Sequence, residues 1–178
     1  MPMYERTVSK RTVFRGKVFG VQRHQVVLPG GRRAVRDLIS HPGAVAVVPV
    51  LDDGRIVLIR QFRKAIEQVL CEIPAGTREK GERLAVCVRR ELAEETGYRA
   101  RKIKRLVTIY PVPGYSSEMI DIYVATGLTA SAANPEADEQ IEVVPMKPER
   151  IVKMIRSGTI KDGKTIAGIL CYLGKHHE

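Results

Sequence analysis

The stretch RRELAEETGY, residues 89–98, contains three glutamates within five positions and ends in a glycine and a tyrosine. It closes a region, residues 82–96, whose apolar spacing predicts a helix, and the glycine is typical of a left-handed C-terminal stop. In that helix Glu91, Glu94 and Glu95 stand at i, i+3 and i+4, so the three carboxylates share one face. The face borders the apolar stripe, where burying a carboxylate is costly without a cation. Such clustered carboxylates favour a hard divalent cation such as Mg²⁺.

For these residues alone, a solvated helix face with an Arg90–Glu94 ion pair is the simpler interpretation. The wider spacing favours a metal site instead. The chain matches the pattern G-x5-E-x7-R-E-U-x-E-E-x-G-U, where U is apolar, through Gly76, Glu82, Arg90, Glu91, Leu92, Glu94, Glu95, Gly97 and Tyr98. At ordinary residue frequencies, seven fixed positions match by chance in about one chain in a million. The pattern is the signature of the Nudix hydrolases, which this chain resembles, although the family more often has an aliphatic residue in place of the tyrosine.

The composition limits the classes of protein to which this chain can belong. The chain has 178 residues and a formal net charge of +10, which fits one domain with a basic surface. A basic protein suits nucleic acid or an anionic small substrate, and the even spread of the charges with few aromatic residues favours the small substrate. No apolar run is long enough to span a bilayer, and residues 1–15 lack an apolar signal core. Cys71, Cys87 and Cys171 form no CxxC pair, which is typical of thiols in a reducing compartment. We therefore expect a cytoplasmic protein with neither nucleic acid nor membrane as its partner.

Hydrophobic patterning predicts a mixed α/β domain with mainly antiparallel strands. Alternation over residues 11–40 around a turn at 29–31 predicts a hairpin. Further strands are predicted at 44–51, 55–62, 69–73, 103–110, 118–125 and 141–145, and further helices at 148–157 and 162–174.

The resemblance to the Nudix hydrolases implies an α/β/α sandwich with a mixed sheet and an N-terminal antiparallel strand extension. It implies a catalytic domain over residues 41–178 and a role in homodimer formation for residues 1–40. It also implies Glu91 and Glu95 as ligands of Mg²⁺, which Mn²⁺ can replace. Glu94 is then a further ligand or an orienting group, and the Ala75 carbonyl joins the site through its loop.

The resemblance further implies attack of water on a pyrophosphate phosphorus. Arg90 then braces the carboxylates, and Glu82 holds the loop against the helix or reaches a metal through water. The base that activates the water is a loop glutamate in related enzymes. Glu139 is the first candidate in this sequence, with Glu136 and Asp138 as second and third.

Two segments bear on the substrate, which in this superfamily is a nucleoside diphosphate linked to a variable group. The segment YPVPGYSSE, residues 110–118, resembles the one that marks ADP-ribose pyrophosphatases, and IRQFRKAIEQVLCEIPAG, residues 59–76, resembles the lead-in of the same subgroup. The resemblance implies hydrolysis of ADP-ribose to AMP and ribose 5-phosphate; another nucleotide sugar, or a nucleotide-sensing module without turnover, is the alternative. Implied substrate contacts are Arg36, Arg63, Glu72, Pro113, Gly114, Tyr115 and Glu118. Tyr115 suits stacking on a base and simple packing equally well, and for His41 a structural role is the simpler interpretation.

Overall fold

The computed structural model describes residues 3–134 and 140–175. The chain forms two compact units. The first unit consists of Met1–Gly43 and Tyr110–Met119, and the second of Ala44–Ile109 and Ile120–Glu178.

The first unit contains a three-stranded antiparallel sheet in the order β1-β2-β3. Its strands are β1 (Arg6–Arg15), β2 (Gly20–Val27) and β3 (Arg33–Ser40). The turn predicted at 29–31 joins β2 to β3, but the prediction of a single hairpin over 11–40 is wrong. The backbone N–H of Gly16 donates to the carbonyl of Phe19 at 2.9 Å, and this earlier turn adds β1. Every residue of β1 is exposed, so the strand has no buried face to impose alternation on its sequence.

The second unit contains two sheets, in the orders β10-β5-β6 and β7-β4-β9-β8. In the four-stranded sheet β4 and β9 run parallel while the other pairs are antiparallel, so the sheet is mixed, as predicted. The strands are β4 (Ala44–Pro49), β5 (Ile56–Arg63), β6 (Gln68–Glu72), β7 (Ala75–Thr77), β8 (Tyr98–Ile109), β9 (Ile120–Ala130) and β10 (Ile141–Met146).

The second unit also holds three helices, α1 (Leu84–Thr96), α2 (Pro148–Arg156) and α3 (Gly163–Gly174). The two faces of the four-stranded sheet carry separate apolar cores. One core contains Val88 of α1 and the other Ile169 of α3. Helices therefore cover both faces, which confirms the predicted α/β/α sandwich. Within the described part of the chain, no helix is long and apolar enough to cross a membrane.

The observed ends of helices and strands differ from the predicted ends where the residues show no alternation of buried and exposed positions. Helix α1 begins at Leu84, two residues later than predicted, and ends as predicted at Gly97, whose φ of 68° is left-handed. Strand β8 begins at Tyr98, five residues before the predicted start. It forms an edge of its sheet, and its first half is rich in exposed cations, as is usual for an edge strand.

Candidate active site

Arg90 of α1 gathers three of the four carboxylates of the sequence pattern around one guanidinium group. Its Nε and Nη2 atoms donate to the two oxygens of Glu82, each at 3.0 Å. Its Nη1 atom donates to Glu91 at 2.7 Å and to Glu94 at 3.0 Å. We call these four residues the Arg90 cluster. Three carboxylates against one guanidinium leave the cluster two negative charges in excess, a balance that attracts cations.

Charge pairing inside the Arg90 cluster shifts its protonation equilibria. Hydrogen bonding from Arg90 lowers the pKa of Glu82 to about 2, and the same bonds raise the pKa of Arg90. Burial, together with the neighbouring Glu82, raises the pKa of the Cys87 thiol to about 12. Cys87 therefore stays protonated at neutral pH, which disfavours a role as a nucleophile.

Strand β7, which precedes α1, lies directly against the glutamates. The backbone N–H of Ala75 donates to Oε2 of Glu95 at 2.8 Å. A Cβ atom at Gly76 would stand 1.9 Å from Cδ of Glu91, so any side chain at this position would displace the carboxylate. Glu91 and Glu95 are 8% and 4% exposed. The glycine of the sequence pattern is thus explained by close approach of backbone to carboxylate.

The donor chemistry of this region fits a hard divalent cation, because two nearly buried carboxylates face the backbone of β7. In the structure Arg90 neutralises part of that charge. Among residues 3–134 and 140–175, no three His, Cys, Asp or Glu side chains already stand in a metal-holding arrangement. The ligand roles of Ala75, Glu91, Glu94 and Glu95 remain predictions.

A second charged cluster is centred on Glu72, the last residue of β6, which has no exposed surface. Nε and Nη2 of Arg63 donate to its two oxygens at 2.8 Å each, and Nζ of Lys164 donates to Oε2. We call these three residues the Glu72 cluster. Burial opposes ionisation of Glu72, but the bonds from Arg63 and the charge of Lys164 outweigh it and lower the pKa. Glu72 is therefore a buried carboxylate held ionised by two cations.

The other predicted substrate contacts belong to the first unit. Arg36 forms an ion pair with Glu5, with Nη2 at 2.5 Å from Oε1. Pro113, Gly114 and Tyr115 form an exposed turn, and the carbonyl of Tyr115 accepts from the backbone of β3 at 2.7 Å. Glu118 follows this turn and is partly exposed. Their substrate roles remain predictions.

His41 is held by local hydrogen bonds of the first unit. Its Nδ1 accepts from the backbone N–H of Gly43 at 3.1 Å, and its own backbone N–H donates to Oγ of Ser117 at 3.0 Å.

The candidate bases and Lys164 have different outcomes. Glu136, Asp138 and Glu139, the three candidate bases, lie outside the described residues. Lys164 was missed altogether, although it stands in the segment DGKT, residues 162–165, at the start of a helix that the sequence does predict. The sequence offered a signal for the helix start, since aspartate is a preferred N-cap, but none for the contact with Glu72, which is 92 positions away.

Comparison with known proteins identifies the family. The model of the NUDIX domain matches residues 40–167. The chain belongs to the Nudix family. It is 39% identical to an ADP-ribose pyrophosphatase of Bacillus subtilis, over 93% of this chain and 90% of the relative. It is 36% identical to a methanol dehydrogenase activator of Bacillus methanolicus, with the same coverage.

The fold has a close counterpart among solved structures. A structure described as an ADP compounds hydrolase superposes with a TM-score of 0.84, at 22% identity, over 96% of this chain and 92% of that one. Family and fold together make this protein a Nudix hydrolase.

Proposed function

We propose that this Nudix hydrolase cleaves the pyrophosphate bond of ADP-ribose to AMP and ribose 5-phosphate, with Mg²⁺ as cofactor and Mn²⁺ as a substitute. The observation that carries the proposal is the pair of nearly buried carboxylates, Glu91 and Glu95, beside the Ala75–Gly76 backbone. Arg90 pairs with Glu91, and a divalent cation would offset further buried negative charge at this place. The identity with the ADP-ribose pyrophosphatase of Bacillus subtilis supports the choice of substrate.

In this proposal the described residues bind and orient. Glu91 and Glu95, with Glu94 and the Ala75 carbonyl, would hold the cation, while Arg90 keeps the carboxylates in place through its ion pairs. When bound, Mg²⁺ supplies neutralisation of the phosphate charges and activation of water. Arg63 has a side chain 38% exposed, so its guanidinium is accessible to a phosphate oxygen of the substrate.

The decisive experiment measures AMP release from ADP-ribose, ADP-glucose, GDP-mannose, UDP-glucose and NADH, each with Mg²⁺ and with EDTA. We expect strong preference for ADP-ribose and no hydrolysis in EDTA. Preference for another nucleotide sugar would retain the chemistry and overturn the substrate. Ligand binding without turnover in both Mg²⁺ and Mn²⁺ would replace the enzymatic proposal with a nucleotide-sensing module.

The base is proposed to be Glu139. A Glu139→Gln variant should lower kcat about a hundredfold or more while leaving KM within a few-fold, because a general base acts on the chemical step. Glu136→Gln is the matched control, three residues earlier in the sequence. If Glu136→Gln produced the larger loss of kcat, the base would be Glu136 instead.

We further propose a cytoplasmic homodimer formed through the first unit, with Arg36 contributing to substrate binding. The sheet of this unit exposes several large apolar side chains, as expected of a surface that a second copy covers; they include Val8, Val13, Phe14, Phe19 and Val35. The described chain holds its three cysteines as free thiols, as a reducing compartment requires. Light scattering after size exclusion should give the mass of two chains, and a single-chain mass would overturn the dimer.

A second candidate function follows from the Bacillus methanolicus relative, which is named as an activator of methanol dehydrogenase. Adding the protein to a methanol dehydrogenase assay would test this candidate function. Stimulation that persists in Glu95→Gln would separate activation from hydrolysis, whereas no stimulation by the wild type removes this candidate.

A further inference from the structure

Glu72 has two cationic partners of different accessibility. Arg63 is the outward one, with 38% of its side chain exposed, and Lys164 is the inward one, with 11% exposed. Arg63 uses its Nε and one Nη2 proton on the two Glu72 oxygens. Within the described part of the chain, its side chain makes no other hydrogen bond. The Nη1 group of the guanidinium therefore remains available to a ligand. The two hydrogen bonds to Glu72 fix the orientation of the guanidinium plane.

A phosphate on Arg63 would compete with Glu72 for the same positive charge. With Arg63 as its only partner, Glu72 would then be a fully buried carboxylate sharing its counter-charge with the ligand, which is unfavourable. Lys164 removes this conflict, because its Nζ donates to Oε2 of Glu72 independently of Arg63. The carboxylate thus keeps one cation of its own while Arg63 binds substrate.

The first turn of α3 holds Lys164 in this position. Asp162, the N-cap of α3, accepts from the backbone N–H of Thr165 at 2.9 Å and from Nζ of Lys164 at 3.1 Å. Oγ1 of Thr165 accepts from the backbone N–H of Ile73 at 2.8 Å. Ile73 directly follows Glu72, so one helix turn holds both the Glu72 side chain and the next peptide, just before strand β7.

We propose that Lys164 is a positioning residue for substrate binding, which neutralises Glu72 so that Arg63 keeps its outward edge aimed at the pyrophosphate. The inference rests on the proposed function and adds to it a residue that touches no reacting atom. A residue with only a stabilising role would affect unfolding without affecting KM. A positioning residue affects KM in a protein that remains folded.

The first test is the steady-state kinetics of Lys164→Met. We expect KM to rise about tenfold with kcat within about twofold, since binding is lost without loss of the chemical groups. Lys164→Arg should restore most of the affinity by keeping the charge. Lys161→Met is the matched control, because it makes the same change at an exposed lysine three residues earlier, and its KM should equal that of the wild type.

A double variant tests whether Lys164 acts through Glu72 or by another route. If Lys164 acts only by neutralising Glu72, its loss has no effect once Glu72→Gln has removed the charge. The KM of Glu72→Gln/Lys164→Met should then equal that of Glu72→Gln alone. The double variant contains no unpaired buried carboxylate, so the comparison holds even if Lys164→Met does not fold. A further rise of KM in the double variant would overturn the proposal.

A readout without turnover keeps this inference separate from the proposed function. The Nε–H proton of Arg63, identified by its absence in Arg63→Lys, should exchange with solvent more slowly in substrate-free Lys164→Met than in the wild type, because Glu72 loses the charge of Lys164 and pairs more firmly with Arg63. Unchanged exchange together with unchanged KM in a folded Lys164→Met would overturn the role of Lys164. Failure of the wild type to hydrolyse any nucleotide sugar would overturn the proposed function, while the exchange measurement would still decide whether Lys164 positions Arg63.

Discussion

The Arg90 cluster and the Glu72 cluster are built in opposite ways. In the first, one guanidinium is surrounded by the carboxylates of Glu82, Glu91 and Glu94. In the second, one buried carboxylate is held by the cations of Arg63 and Lys164. The first has negative charge in excess, whereas the second presents the exposed guanidinium of Arg63, since Lys164 is shared between Glu72 and Asp162. A pyrophosphate with a bound divalent cation needs both, since the cation requires carboxylates and the phosphates require a guanidinium.

The two clusters also differ in how their arginines use their hydrogen-bond donors. Arg90 makes ion pairs with three carboxylates, so its role is to hold them in place. Among the residues that the structure describes, Arg63 pairs with Glu72 alone, and one edge of its guanidinium stays accessible. An arginine surrounded by carboxylates therefore organises a site, whereas an arginine held from one side by a buried carboxylate is prepared to bind an anion.

The largest effect is expected at Glu95, beside the Arg90 cluster, in the proposed cation site. Glu95→Gln should lower kcat by about a thousandfold or more, because it would remove a proposed charged ligand while its remaining oxygen still accepts from Ala75. Kinetics of ADP-ribose hydrolysis at saturating Mg²⁺ would measure the loss, and circular dichroism would check the fold. Unchanged turnover would remove the metal role of this helix face.

Gly76→Ala tests whether the position of the Glu91 carboxylate matters as much as its charge. The added Cβ would stand 1.9 Å from Cδ of Glu91, so the carboxylate must move, and a misplacement of this size costs about a hundredfold in rate. The carboxylate ends a flexible side chain, so we expect activity to fall far more than the melting temperature. Gly174→Ala is the control, since a Cβ there meets nothing within 4 Å. Equal activity of the two variants would contradict the interpretation.

In the Glu72 cluster, Arg63→Lys should raise KM about tenfold, or about 1.4 kcal/mol of binding free energy. Lysine keeps the charge but has no planar fork to donate to Glu72 and a phosphate at once. Arg60→Lys is the control on the same strand, because Arg60 is exposed and pairs with Glu142. A large fall of kcat without a change of KM would place Arg63 in the chemical step instead.

The smallest effect concerns stability in acid. The pKa of Glu82 is lowered from 4.5 to about 2 by Arg90, so its contribution to the free energy of unfolding is present above pH 4.5 and is lost as the pH falls towards 2. Glu82→Gln should therefore make the pH dependence of unfolding shallower in this window. Urea titrations between pH 2 and pH 5 would measure the slope. The slope of Glu149→Gln, at an exposed glutamate of α2, should equal that of the wild type.

Patterns local to the chain were predictable from the sequence. The helix at 84–96 and its glycine stop followed from spacing, because a helix imposes its period and its termination on neighbouring residues. The grouping of Glu91, Glu94 and Glu95 followed in the same way. Strand β1 and the start of β8 were not predictable, since their residues are exposed and nothing selects an alternating pattern there.

What the sequence determined by itself is the family, the helix that carries the carboxylates and the glycine before it, since these depend on residues within 23 positions of one another, 76–98. Only the tertiary structure brought Lys164 to Glu72 and the first turn of α3 to Ile73. These contacts join residues 92 positions apart, and their pairing depends on where α3 packs on the sheet. The packing of two distant segments leaves no periodic pattern in either segment, so only the folded structure reveals their contacts.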